Sequence, residues 1–248
     1  LKEFSMQYFY RTKEMSNEMA GETYSSANGS WVTGERLIFG EITMPAGTKS
    51  NSHSHPNEQF VIVIKGSSRS KIEGQSKDLK AGDISLKPPN SIHSGEVLGD
   101  EDLVFVTAKD TAWGIQGTPS DVEKSEEGKM EEGFQYFYNI NEMKDELAGP
   151  SYSSSNGSWI TGERVIFGQF CMPVGTKAEA HSHPNEQFVI CMQGSAKMEI
   201  EGNVHTMIPG DIAHIPPNAV HSGEIVGDED YIFITAKDTS HGIEGTKI

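Results

Sequence analysis

The chain has 248 residues, 35% of them hydrophobic, and a formal net charge of −16. That length allows one large or two small domains, and the acidic balance repels phosphate backbones and anionic lipid surfaces. No apolar run approaches membrane-spanning length, and neither nucleic acid nor membrane is expected as a partner.

The first residues, Leu1-Lys2-Glu3-Phe4, carry no apolar signal core, and the expected location is cytoplasmic. Tyr8-Phe9-Tyr10 is a short aromatic run, read as a strand that docks across a neighbouring domain. Glu14 to Ala20, before Gly21, reads as one or two helical turns. Ser25 to Ser30 is turn chemistry, and Trp31 to Gly40 follows as a strand with a bulge at Gly34. Within it, Glu35-Arg36 either anchors substrate or sits as a pair of barrel-end charges.

Met44-Pro45-Ala46-Gly47 then turns the chain into His53-Ser54-His55-Pro56-Asn57-Glu58-Gln59. Histidines two apart share one face of a strand, because strand side chains alternate. Phe60 to Ile64 is an apolar run that reads as the next strand, and Ile84-Ser85-Leu86 leads into a Pro-Pro corner ending at His93. His53, His55 and His93 with the amide oxygen of Gln59 make a metal site that leaves room for water or substrate. Glu58 is the better ligand by charge; parity favours Gln59 if the strand has begun there. Leu103 to Ala108 closes the copy, and residues 118–133, polar and aperiodic, read as an acidic linker.

The pattern then recurs. The offset 181 − 53 = 128 also separates His221 from His93 and Trp159 from Trp31, the signature of a duplicated domain. The domains expected are 1–117 and 134–248. The second metal set is His181, His183, Gln187 and His221, with Glu186 as the competing carboxylate. Glu142 to Leu147 repeats the expected helical turns. Cys171 and Cys191 are expected on neighbouring strands as free thiols of a reducing compartment. Counting back by twos from His181 gives Glu179 and Lys177, where the first copy has Asn51 and Lys49, so Glu179 is the candidate general base. Trp113 against His241, and Leu86 against His214, are further differences between the copies.

Gly47, His53, His55, Gln59 and Gly66 resemble the first cupin motif, with Gln at the usual Glu position. Gly82, Pro88, Asn90 and His93 resemble the second, with Asn90 where glycine is common. The second copy repeats both through Gly175, Gly194, Gly210, Pro216 and Asn218. The chain is therefore similar to a bicupin over nearly its whole length. That resemblance implies an all-β protein of two tandem jelly-roll barrels, each with one divalent transition metal (Fe, Mn, Ni, Co, Zn or Cu), arranged as an intramolecular pseudo-dimer with a homodimer as a further assembly. A His-His-Gln-His set resembles that of cupins that open uronate rings and of a bicupin isomerase type from bacilysin biosynthesis. A neutral Gln leaves the cation a stronger Lewis acid, which favours isomerisation, elimination or ring opening on a small carbonyl or sugar-acid substrate. The alternatives are a dioxygenase cleaving a dicarbonyl or phenolic substrate, and a non-catalytic metal- or sugar-binding module.

Overall fold

A computed structural model describes residues 6–121 and 133–248. The remainder of the expected linker, 122–132, lies outside the described residues. Among the described residues the regular structure is β-strand apart from two single-turn 3₁₀ helices, Thr12–Glu14 and Ile140–Glu142.

Two units emerge from the contacts. One comprises 16–143 with 161–165, the other 1–15, 144–160 and 166–248. In the first unit a seven-stranded antiparallel sheet runs Phe137–Asn139, Asp83–Lys87, Gln59–Lys65, Leu103–Asp110, Leu37–Met44, Asn28–Thr33, Glu18–Met19. A five-stranded sheet runs Thr118–Pro119, Lys49–Ser54, His93–Leu98, Ser67–Ile72, Gln75–Lys80. Both sheets send alternate side chains inward, so Val63, Leu79, Val97, Leu103 and Phe105 meet in one buried cluster. This is a jelly-roll barrel. The second unit has the same two sheets, with Phe9–Arg11 at the edge that Phe137–Asn139 occupies in the first.

The aromatic runs thus complete a sheet of the other copy's repeat, as their docking reading requires. Phe9 pairs with Ala213 and Arg11 with Asp211, and the Arg11 guanidinium holds the Asp211 carboxylate at 2.9 and 3.2 Å. Phe137 pairs with Ser85, and Asn139 Nδ2 donates to Asp83 at 2.8 Å.

Several local expectations are corrected. No α-helix forms at 14–20 or 142–147; each stretch ends in a two-residue strand, Glu18–Met19 and Glu146–Leu147. These edge strands satisfy backbone groups in a sheet, which a one-turn helix leaves unpaired. Gly34 is not a bulge. The ladder pairs Thr33 with Ile38 without a shift, so residues 34–36 are a hairpin turn. Cys171 and Cys191 lie on strands separated by Tyr231–Asp238, and both are free. Asn90 and Asn218 sit at φ +63°, a left-handed position that Asn tolerates where glycine is common. Gly66, at φ +75°, has the Asp102 carbonyl 2.6 Å from where a Cβ would stand.

Candidate metal centre

The ring centroids of His53 and His93 are 4.2 Å apart, His55 and His93 4.9 Å, and His53 and His55 6.2 Å. One ring nitrogen from each lies within 4.8 Å of the others, and all three residues are buried. The second trio repeats the spacing at 4.1, 4.9 and 6.3 Å. Across the sheet His53 pairs with His93, and His181 with His221.

Hydrogen bonds fix which nitrogen faces inward. Nδ1 of His53, His55 and His93 meets the carbonyls of Asn51, Asn57 and Ser91 at 2.8, 3.0 and 2.9 Å, so Nδ1 carries the proton. The inward Nε2 atoms keep their lone pairs, and that of His93 is buried without a hydrogen-bond partner. Burial lowers His53 to about 4 and His55 to about 3, and pushes His93 well below the ordinary value. All three rings are therefore neutral near pH 7.

Gln59 is held just as firmly. Its Nε2 donates to Thr107 Oγ1 at 2.9 Å, and that hydroxyl donates on to the Phe60 carbonyl at 2.7 Å. The amide oxygen is thereby aimed at His55 Nε2, 3.0 Å away. Both nitrogens of His55 thus face acceptor oxygens, the Asn57 carbonyl and the Gln59 amide, and a neutral ring can donate to one of them; a cation between Nε2 and the amide oxygen satisfies the other. Gln187 and His183 do the same at 2.8 Å, with Thr235 as the anchor. The donor chemistry of both copies fits a divalent cation.

Glu58 points elsewhere. Its buried carboxylate accepts from the backbone N–H groups of Glu163, Arg164 and Val165, each at 2.8 Å. Burial raises its carboxyl although these donors oppose the rise. Glu186 meets His214 Nε2 at 2.7 Å, and that ring stacks on Phe188. The difference between Leu86 and His214 is thus a carboxylate partner behind the second site. Trp113 and His241 contribute their carbonyls, each accepting from Asn57 or Asn185 at 2.9 Å, so the side-chain difference leaves this bond intact.

Glu179 is not with the histidines. The ladder slips between Ala178 and His181, and the extra residue turns Ala178 rather than Glu179 toward the cavity. Glu179 lies on an outer groove against Lys247 and, at 3.5 Å, Lys177, and these cations lower its carboxyl. The same slip in the first copy puts Ser50, not Asn51, on the cavity. Arg164 pairs with Asp110 at 3.6 Å and Glu35 with Arg36 at 3.8 Å, away from both cavities.

Sequence reasoning passed over three lysines. Each barrel encloses a cavity, about 100 Å³ in the first and about 90 Å³ in the second. His53, Gln59, His93, Lys87 and Lys109 line the first; His181, Gln187, His221 and Lys237 line the second. Burial brings Lys87, Lys109 and Lys237 down to about 7, and Lys109 adds to the lowering of Lys87. Their signal was a charge at an inward parity position of an otherwise apolar strand, as in Leu103 to Asp110.

A cupin domain model matches residues 40–109 and 168–237. The H2HPP isomerase of Bacillus subtilis is 24% identical over 216 residues, which span 86% of this chain and 81% of that protein. Among solved structures, AerE from Microcystis aeruginosa superposes with TM-score 0.72 at 16% identity, covering 93% of this chain and 98% of that one. A Bacillus subtilis oxalate decarboxylase, studied for its Mn(II) centres, gives 0.71 at 17%, covering 96% and 78%. These likenesses carry the fold.

Proposed function

The chain belongs to the cupin family as a bicupin, and from that premise we propose a metal-dependent enzyme performing redox-neutral chemistry, namely isomerisation, elimination or ring opening, on a small carbonyl or sugar-acid substrate. The three-histidine cluster, the family and the manganese-containing neighbour together suggest a divalent metal. His53, His55, Gln59 and His93 would hold it in the first barrel, and His181, His183, Gln187 and His221 in the second. The observation that carries this is the neutral His55 ring held between two acceptor oxygens, with Gln59 Oε1 3.0 Å from its Nε2. When bound, the ion supplies Lewis-acid polarisation of a substrate oxygen, undiminished by any carboxylate in its donor set.

The chain's own residues do the rest. Thr107 keeps the Gln59 oxygen turned inward through two hydrogen bonds. Tyr24 packs against His53 with ring centroids 4.3 Å apart and tilted by 31°, and its hydroxyl accepts from Gly117 N–H at 2.6 Å, which closes the cavity's rim with chain that follows the last long strand. Lys109 Nζ donates to the Ile115 carbonyl at 2.8 Å, and Lys237 Nζ to that of Ile243 at 2.7 Å. These amines, not Glu179, stand where a substrate proton or anionic oxygen is handled. The relationship to an isomerase supports a redox-neutral reaction.

The experiment is solvent-deuterium incorporation into small 2-oxo acids and sugar acids, followed by proton NMR under anaerobic conditions with the zinc-loaded protein. Zinc cannot change oxidation state, so catalysed exchange supports the proposal. Oxygen uptake stoichiometric with product, and no anaerobic turnover, would replace it with the dioxygenase reading.

A further inference from the structure

The two cavities have nearly the same volume and are both lined largely by apolar side chains, but they differ at a set of polar positions. Ser50, Ser68, Ser70, Ser85 and Lys87 line the first, and at the 128-residue offset the second repeat has Ala178, Ala196, Met198, Ala213 and Ile215. Four hydroxyls and an ammonium are replaced together by alkyl or thioether groups. In the opposite sense Ala27 becomes Ser155 and Leu103 becomes Tyr231. Met44 and Phe105 of the first cavity recur as Met172 and Phe233, so the contrast lies in the hydroxyls and the lysine, which leave the second cavity with fewer polar side chains.

Charge compensation points the same way. Lys87 Nζ is held by the Ser85 hydroxyl alone, at 2.9 Å, and Lys109 Nζ by a backbone carbonyl at 2.8 Å. Among the described residues neither ammonium has a carboxylate in ion-pair range. A buried cation without a counter-ion is costly, and two lining one cavity compound the cost. The imidazoles and the amide on the same cavity are neutral, and its lining carboxylate, Glu96, makes no ion pair with either lysine. In the second barrel Lys237 stands without the second ammonium.

We propose that the first barrel's cavity is the site for a small hydroxylated carboxylate, its anionic group between Lys87 and Lys109 and its hydroxyls facing Ser68 and Ser70, and that the second barrel's cavity does not take such an anion. This names the substrate class for the function proposed above and rests on that reading only for the reaction, since the lysine subsite belongs to the chain itself.

The test is calorimetric titration of the full chain, metal-free and metal-loaded, with hydroxymalonate and with its uncharged diamide. Metal-free wild type should bind one equivalent of the acid, at least tenfold tighter than the diamide, and Lys87→Met should lower acid affinity at least tenfold. Lys109→Met, on a different strand, gives the same readout if Lys87→Met does not fold. Equal affinity for acid and diamide, indifference to both substitutions, or loss of the bound acid on Lys237→Met instead would overturn the proposal. Metal content of the same samples separates the two readings. Charge-selective binding by protein that takes up no metal defeats the metal enzyme and keeps the subsite; metal-loaded protein blind to charge does the reverse.

Discussion

Lys87→Met removes a buried ammonium whose hydrogen-bond partner is a serine hydroxyl, and replaces it with an unbranched side chain of similar length. Burial lowers this lysine from 10.5 to about 7. At about 1.4 kcal/mol for each tenfold change in proton affinity, that corresponds to about 5 kcal/mol charged against folding when the amine is protonated in both states. Because the folded value is depressed, the lysine's contribution is most favourable above 10.5, falls as pH drops toward 7, and is fully unfavourable below that. The methionine variant loses the bond to Ser85 and packs less ideally, so we expect about 2–3 kcal/mol of net stabilisation at pH 6.5. That corresponds to a rise in Tm of roughly 5–10 °C for a chain of this size. The advantage over wild type should shrink toward zero by pH 10. Thermal melts of metal-free protein across that range measure it. A variant less stable than wild type at pH 6.5, or a difference that ignores pH, would refute the argument.

Glu58→Gln weakens three charge-assisted bonds to backbone N–H groups, and should cost about 2–4 kcal/mol in denaturant melts while leaving metal affinity unchanged; loss of metal would restore Glu58 as a ligand. Gln59→Glu places a negative charge beside the histidines, and should hold or raise divalent affinity while slowing turnover, measured by competition with a chromogenic chelator. The histidines supply an acid limit. His53 and His55 are depressed to about 4 and about 3, so the stability tied to their neutral forms is complete above 6.5 and lost as pH falls through 4 to 3. Apoprotein should therefore lose stability steadily between pH 6.5 and 4, and a flat profile there would contradict the burial of neutral rings.

Both barrels and both histidine trios were legible because they rest on two strong regularities, the period-two strand and the exact 128-residue repeat. Parity also chose Gln59 over Glu58, since the strand Gln59–Lys65 begins at the glutamine. The same rule misplaced Glu179, because a ladder slip inserts a residue that counting by twos cannot see. The expected helical turns failed where composition favoured helix but a sheet edge was within reach, as at Glu146–Leu147 beside Asn156 and Gly157. Lys109 and Lys237 were visible as charges in apolar strands, yet only the closed barrel shows that they share a cavity with the histidines. The pairing of Phe9 with Ala213 joins residues far apart in sequence, and no local pattern specifies it.

The histidine and glutamine sets are proposed to hold a divalent metal. This is tested most directly by elemental analysis of protein purified without added metal and without a chelating affinity tag, comparing wild type with a His55→Ala/His183→Ala double variant. Wild type should carry stoichiometric divalent transition metal and the variant should lose it, with the fold retained by circular dichroism. Wild type free of transition metal after exposure to Mn, Fe and Zn salts, or a double variant that keeps the wild-type content, would contradict it.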